Sequence, residues 1–476
     1  MAITSIYFGL FIIGSLLVYY LVNHKYRMIL LSVLSLLFIG TFSVKLVAYI
    51  LFFTLINFFI GKKTASDEKK IYFRIGIAFN LLQLILLRYS VFLLDPAFVV
   101  LGADFRMSVI SDLIVPVGVS YYTLQGIGYL FNIKMGWEKP ESQFFNFLVF
   151  ITFFPKFLSG PIERSNHFLP QLKEAKSFDI HRITGGLKLI LYGLFKKVVI
   201  ANQIAPFLTA VYSNIDSVNS SALWLLIIIQ PLCLYFDFSG YTDMAIGVAK
   251  LFGIDLLPNF NKPFFAENMT TFWKRFHISL SSWFNDYIFK QASFRYRKWG
   301  VYSSIYALLL TWILFGIWHG AGWNFMLLGL IQALAIIYEF FTRKWRIKVF
   351  GRIPHFPRLM FSRLITFLFY GTSLVFFFSP DIHTTIRFFS NLPGAAISAT
   401  TVELPGLPLY SILLMLIVLI IEYISNDFEV INRRITDLWM SKTAPAVLIK
   451  IGVYLTMILM IYFWGTEGQE FIYAQF

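Results

Sequence analysis

Apolar stretches of roughly the length that an α-helix needs to cross a bilayer recur from one end of the chain to the other, separated by polar segments. The pattern predicts an all-α polytopic membrane helical bundle with about twelve spans. We place the spans at roughly residues 5–22, 28–42, 46–60, 75–94, 113–131, 198–213, 222–238, 300–318, 322–342, 364–379, 408–426 and 447–464.

Three further apolar stretches, residues 143–158, 185–197 and 240–254, do not fit as spans. A crossing by any of them would carry clusters of Lys and Arg to the outer side of the membrane. We interpret them as re-entrant or interfacial helices. Irregular backbone at membrane depth must be covered by protein or line a water-filled cavity, so these segments indicate a central chamber. Tilted helices on the membrane surface are the alternative.

Composition supports the membrane assignment. Of the 476 residues, 58% are hydrophobic and 14% are charged, whereas soluble domains carry about 25% charged residues. A water-soluble globule is therefore excluded. A disulfide scaffold is excluded as well, because Cys233 is the single cysteine.

The net charge of +15 comes from 40 Lys and Arg against 25 Asp and Glu. In a soluble protein this excess would suggest nucleic acid, but in a polytopic protein it collects in cytoplasmic loops and sets the orientation. With the N-terminus outside, twelve crossings bring nearly all basic residues inside; the exceptions are Lys45, Arg88, Arg106 and Arg387. The charge thus predicts an orientation in the membrane and no nucleic-acid partner.

His319 lies between two long apolar runs, so an ionisable side chain is predicted at membrane depth, where such residues usually serve function. The nearby glycines allow close helix approach or a tight bend; they are Gly316, Gly320, Gly322 and Gly329. The alternative is a structural histidine bonded to a backbone carbonyl in a hairpin turn.

His277 lies in an aromatic segment, residues 272–287, with basic residues between the rings. The spacing predicts an amphipathic helix at the inner interface. An interfacial aromatic belt without a catalytic role is the simpler interpretation of this segment taken alone.

Several chemistries have no counterpart in the sequence: there is no phosphate-binding or dinucleotide loop, no Gly-x-Ser-x-Gly and no metal-binding His-Glu-x-x-His. A neutral imidazole remains, which suits a general base acting on an acceptor that attacks an acyl group. A thioester is a fitting donor because it is already activated, and inner cationic loops would hold the phosphates of a nucleotide-containing donor. A transporter or flippase with a gating histidine, and a scaffold subunit, are the alternatives from other classes.

Five sequence blocks occur in order along the chain. Two are Phe-Trp-Lys-Arg-Phe-His-Ile-Ser-Leu-Ser at 272–281 and Trp-His-Gly-Ala-Gly-Trp at 318–323, and the others lie at 116–123, 153–162 and 235–245. Together they resemble the membrane-bound O-acyltransferase family, in its bacterial alginate O-acetylation and teichoic-acid D-alanylation branch. The aromatic ending at 471–476 is similar to that of the family.

The resemblance implies a many-helix bundle around a central tunnel, with His319 as the catalytic histidine and His277 as the second one. Our span boundaries place His319 near the outer end of its helix and His277 inside. Residues that could bind or orient substrate are weaker candidates: Asn324, Trp318, Trp323, Asp237, Asp243, Lys274 and Arg275. We divide the chain into N-terminal helices (1–112), a catalytic core (113–345) and C-terminal helices (346–476).

The resulting expectation is an O-acetyltransferase of the bacterial cytoplasmic membrane that acts on a cell-envelope or exported polysaccharide. The resemblance implies a thioester donor on the inner side, acetyl-CoA or another thioester, and an extracytoplasmic acyltransferase partner. We expect no bound cofactor or metal. Transfer of D-alanyl groups to a teichoic acid-like polymer is the alternative within the family.

Overall fold

The computed structural model describes residues 1–66, 70–90, 92–93, 118–394 and 404–466. Within these ranges the chain is helical and forms no strand, and the pairing of Phe260 with Phe276 is an isolated bridge. The predicted all-α membrane bundle is thereby confirmed. The chain forms two compact units, Met1–Ile190 with Thr242–Pro258 and Leu191–Tyr241 with Asn259–Phe476.

The first unit is built on short and medium helices. They are α1 (Ile6–Leu21), α2 (Arg27–Gly40), α3 (Val44–Thr64), α4 (Ile71–Leu84, continued as a π-helix over Ile85–Tyr89), α5 (Val119–Lys134), α6 (Phe144–Thr152) and α7 (Ser165–Lys173). Helix α5 is buried on every face from Val119 to Leu130, including its polar residues Ser120, Thr123 and Gln125. On α3 and α4, Asn80 Nδ2 donates to Asn57 Oδ1 at 2.7 Å, and this buried hydrogen bond joins the two helices.

The second unit contains most of the long helices. Helix α8 (Ile180–Phe195) reaches into it and continues as a π-helix over Lys196–Ala201. The helices that follow are α9 (Asn202–Ser213), α10 (Ser220–Leu251, in this unit up to Tyr241), α11 (Met269–Trp273), α12 (Ile278–Phe284), α13 (Lys290–Arg295), α14 (Val301–His319), α15 (Trp323–Phe350), α16 (His355–Phe378), α17 (Ile382–Asn391), α18 (Leu409–Asp427), α19 (Glu429–Met440) and α20 (Ala444–Trp464).

Each of the twelve predicted spans corresponds to a helix in its described part. Residues 91 and 94 of the fourth span, residues 113–117 of the fifth, the boundary between 112 and 113 and the C-terminal block 471–476 lie outside the described residues. Within the described ranges, eight helices are long and apolar enough to cross a membrane. They are Val44–Thr64, Ile71–Tyr89, Ser220–Leu251, Val301–His319, Trp323–Phe350, His355–Phe378, Leu409–Asp427 and Ala444–Trp464. The other four predicted spans form helices of 12 to 16 residues.

Two of the three segments predicted to be re-entrant or interfacial helices are helical. Residues 185–197 lie in α8 and its π-helical continuation, and residues 240–251 are the last turns of α10. Two lysines of the first segment are buried with polar partners, because Lys197 pairs with Asp237 and Lys196 Nζ donates to Ser239 Oγ at 3.0 Å. The third, 143–158, is the short helix α6 followed by buried irregular chain.

Helices α14 and α15 form a tight hairpin with glycines at its contacts. A Cβ atom on Gly316 would overlap the carbonyl oxygen of Phe325, and one on Gly329 would overlap the carbonyl oxygen of Trp312. The predicted role of these two glycines, close helix approach, is confirmed. The hairpin matters for the site because His319 ends its first helix.

We expect Gly329→Ala to destabilise the protein by about 1–3 kcal/mol, because the backbone of Trp312 cannot give way as a flexible side chain can. Thermal unfolding of the purified protein in detergent measures the effect. Gly452→Ala on α20 is the matched control, since nothing lies within 4 Å of the added methyl group. Equal melting temperatures for the two variants would contradict the close packing of the hairpin.

Candidate functional site

His319 is held at the end of α14, where the chain leaves the helix at Gly320 in an extended conformation. Its side chain is buried, with the ring 4.8 Å from Phe315, 4.9 Å from Trp318 and 5.5 Å from Phe377 between centroids. The imidazole therefore lies in an aromatic enclosure and not on the membrane surface.

His277 has a left-handed backbone, with φ of 47° and ψ of 51°, immediately before α12. A residue other than glycine in this region is uncommon and is kept there by its surroundings. Asn259 provides them: its carbonyl accepts from Ile278 N at 2.9 Å and its Oδ1 accepts from Ser279 Oγ at 2.6 Å. The predicted continuous amphipathic helix over 272–287 is wrong, because the chain breaks here between α11 and α12.

Trp318 links the two histidines. Between ring centroids, Trp318 lies 4.9 Å from His319 and 6.0 Å from His277. The ring of Phe238 contacts that of His277 at 4.6 Å. The sequence placed the histidines at opposite ends of the membrane, whereas the structure places both against Trp318 in one buried cluster. Tertiary packing of α10, α12 and α14 brings them together, which span boundaries alone do not reveal.

The cluster favours neutral imidazole. Burial lowers the pKa of His277 well below its ordinary value, and the neighbouring His319 lowers it further. A neutral imidazole has a nitrogen that can accept a proton. The chemistry available here is therefore proton transfer. Within the described residues, no group of three or more His, Cys, Asp or Glu side chains is arranged to hold a metal ion.

Two of the weaker candidates, Asp237 and Asn324, have structural partners. Asp237 is fully buried and pairs with Lys197. Asn324 Nδ2 donates to the carbonyls of Phe376 at 3.0 Å and Ser379 at 2.8 Å, tying α15 to the end of α16. Contacts of this kind are suited to holding the helices around the histidine cluster in position.

The other candidates differ in exposure and in the unit to which they belong. Trp323 and Lys274 are exposed, and Arg275 donates to Asn426 Oδ1 at 3.2 Å. Asp243 belongs to the first unit. Among the weaker candidates, Trp318 contacts both histidine rings.

The sequence did not single out Phe238, Asn259 or Lys197. Phe238 and Asn259 carry no ionisable group, and Lys197 was counted as a charge that interrupts an apolar stretch. A signal for Lys197 was present, since Asp237 is an acid inside an apolar run and needs a buried partner.

Comparison with known proteins identifies a family region that contains both histidines. A family model described as MBOAT, membrane-bound O-acyltransferase family, matches residues 138–380. The chain is 29% identical over 410 residues to a peptidoglycan O-acetyltransferase of Helicobacter pylori, covering 79% of this chain and 75% of the relative. It is 28% identical over 332 residues to a probable alginate O-acetylase of Azotobacter vinelandii, covering 68% and 66%.

A teichoic acid D-alanyltransferase of Bacillus subtilis is also similar, with 32% identity over 247 residues that cover 50% of this chain and 62% of the relative. The chain spans just under two thirds of the length of the alginate and teichoic-acid relatives. The region matched by the family model, residues 138–380, includes both His277 and His319.

Proposed function

The chain belongs to the membrane-bound O-acyltransferase family, and from that premise we propose that it acetylates hydroxyl groups of a cell-envelope or exported polysaccharide. It is an O-acyltransferase, and it is a multi-pass membrane protein. The names of the peptidoglycan and alginate relatives support acetyl as the group transferred. We place the protein in the bacterial cytoplasmic membrane.

One observation carries the proposal. His277 and His319 are both buried, and both lie against Trp318 within the region that matches the family. A proton acceptor protected from bulk water fits acyl transfer.

In the proposed reaction His319 is the catalytic base. Its neutral imidazole accepts the proton of the acceptor hydroxyl while that oxygen attacks the thioester carbonyl carbon. A C–O bond forms, the C–S bond breaks, and the leaving thiolate takes the proton back from the imidazolium. His277 and Trp318 act as positioning residues, because they contact the enclosure of His319 from the side of α12.

The donor and the route of the acetyl group are further parts of the proposal. We propose a thioester such as acetyl-CoA on the cytoplasmic side, where the basic loops would attract its phosphates. Where an extracytoplasmic acyltransferase partner is present, its hydroxyl would be the acceptor in this step, and the partner would complete transfer of the acetyl group to the sugar. The single catalytic enclosure and the inward excess of basic residues support this order.

The deciding experiment supplies [14C]acetyl-CoA to one face of proteoliposomes that contain the purified protein, with acceptor polysaccharide on the other face. We expect label in the polysaccharide, or on the partner protein when it is included, and no label when the donor is supplied to the extracytoplasmic face.

D-alanyl transfer is the second candidate, because the Bacillus subtilis relative is 32% identical over the 247 residues that align. Incorporation of D-[14C]alanine from a carrier thioester, with none from acetyl-CoA, would replace the acetyl assignment.

A further inference from the structure

A large cavity opens beside the histidine cluster in the second unit. Its volume is about 2040 Å³, and it is bounded by α14, α15, α16 and the segment 267–289. Much of its wall is formed by apolar side chains that are half or more exposed; these are Leu334, Phe341, Ile347, Phe361 and Ile365. Leaving such a wall in contact with water would be unfavourable.

One end of the cavity is cationic. Arg343, Arg346, Arg358 and Lys274 line it, against two acids, Glu267 and Glu339. Glu339 is already engaged, because its carboxylate accepts from the backbone nitrogens that begin α11. Within the described part of the chain, Arg343 and Arg358 form no ion pair, so their charge is available to an anion.

The depth of these arginines matches the level of lipid phosphates. Helix α15 has 28 residues, and about 20 residues of α-helix cross the hydrocarbon core. Counted from Trp323, the crossing is complete just before Arg343, and Arg358 lies in the first turn of α16 at the same end of the helix pair. The basic residues of 343–363 assign this end to the cytoplasmic side.

We propose that this cavity binds an anionic phospholipid of the inner leaflet. The phosphate would be held by Arg343 and Arg358, and the acyl chains would cover the apolar wall. Charge complementarity favours an anionic headgroup. The apolar wall favours a lipid over coenzyme A or another polar phosphate compound, since those ligands would leave the exposed aromatic and aliphatic side chains in water.

The site has a direct structural link to the histidines. The cavity wall includes Trp273 and Phe315, whose rings lie 5.1 Å apart, and Phe315 in turn contacts His319 at 4.8 Å. A bound lipid would thus form part of the wall behind the enclosure of His319. It undergoes no covalent step, and its binding does not depend on the proposed acetyl transfer.

Native mass spectrometry of the full chain, titrated with phosphatidylglycerol or phosphatidylcholine, tests the proposal. We expect phosphatidylglycerol to bind more tightly, and Arg343→Gln/Arg358→Gln to weaken it about 30-fold, at about 1 kcal/mol for each cation near a lipid surface. The control Lys348→Gln/Arg352→Gln removes the same charge from exposed residues at the same helix end that do not line the cavity. The affinity of this control variant for phosphatidylglycerol should stay within about threefold of that of the unsubstituted protein.

Photo-crosslinking locates the lipid. Phosphatidylglycerol with a diazirine on an acyl chain should label peptides from 331–369, and the label should be lost in the Arg343→Gln/Arg358→Gln variant. Three results would overturn the proposal: equal affinity for both lipids, equal loss in the control variant, or displacement of the lipid by coenzyme A. Because no donor is present, failure of acetyl transfer would leave these measurements unchanged.

Discussion

His319→Ala should lower acetyl transfer by about 1,000-fold, within the range typical of a lost general base. The variant removes the imidazole from the enclosure formed by Phe315, Trp318 and Phe377. His277, which also lies against Trp318, is on the side of α12 and is held by its backbone turn.

The measurement is incorporation of labelled acetyl groups by proteoliposomes with matched amounts of folded protein. His319→Gln is the companion variant, because it keeps a polar side chain of similar length but lacks an accepting ring nitrogen. Both variants should elute as monodisperse protein in detergent and keep the melting temperature to within a few degrees. Near-normal transfer by either folded variant would remove His319 from the mechanism.

We assign His277 a positioning role and His319 the role of catalytic base. Since His277 contacts Trp318 and lies under the left-handed turn, we assign it a smaller direct part in proton transfer than His319. This assignment explains why His319→Ala is the variant with the larger expected effect. The two roles would have to be exchanged if substitution of His277 lowered acetyl transfer more than substitution of His319 and also changed the pH dependence of the transfer.

Hydrophobic pattern was enough to predict the helical bundle and nearly all its long helices. It was also enough to identify His319, because one ionisable side chain among four glycines between apolar runs stands out without any tertiary information. The hairpin explains the pattern, since Gly316 and Gly329 are required where α14 and α15 touch. Local sequence and local packing agree at this point.

The geometry of His277 could not be predicted in this way. Its left-handed turn depends on Asn259, 18 residues earlier, and on the pairing of Phe260 with Phe276. Helical spacing of aromatic residues predicted one amphipathic helix over 272–287, and those side chains are buried in the protein instead of lying at the interface. Contacts between distant segments overrode the local periodicity.

The buried lysines show the same limit. Lys197 and Asp237 are 40 residues apart, and in the sequence Lys197 counted only as a charge that interrupts an apolar stretch. Paired, the two side chains can remain inside continuous helical segments. A charge in an apolar stretch therefore predicts either an interruption or a distant partner, and the sequence alone does not separate the two.

The same ion pair gives the largest stability effect that we expect. Lys197→Met should destabilise the protein by about 3–5 kcal/mol, because it leaves the carboxylate of Asp237 buried without its cation. Asp237→Leu should have a similar cost for the opposite reason. The double variant Lys197→Met/Asp237→Leu should recover most of the loss, since both buried charges are replaced by apolar side chains.

Denaturant or thermal unfolding in a fixed detergent, carried through the full double-mutant cycle, measures the coupling. Arg433→Met is the matched control, because it breaks an ion pair with Glu429 in which both side chains are about three-quarters exposed, and such pairs contribute little. Additive losses in the double variant would show that the two side chains act separately. Recovery would instead establish that a buried pair beside Phe238, which packs on His277 at 4.6 Å, supports the helix carrying that contact.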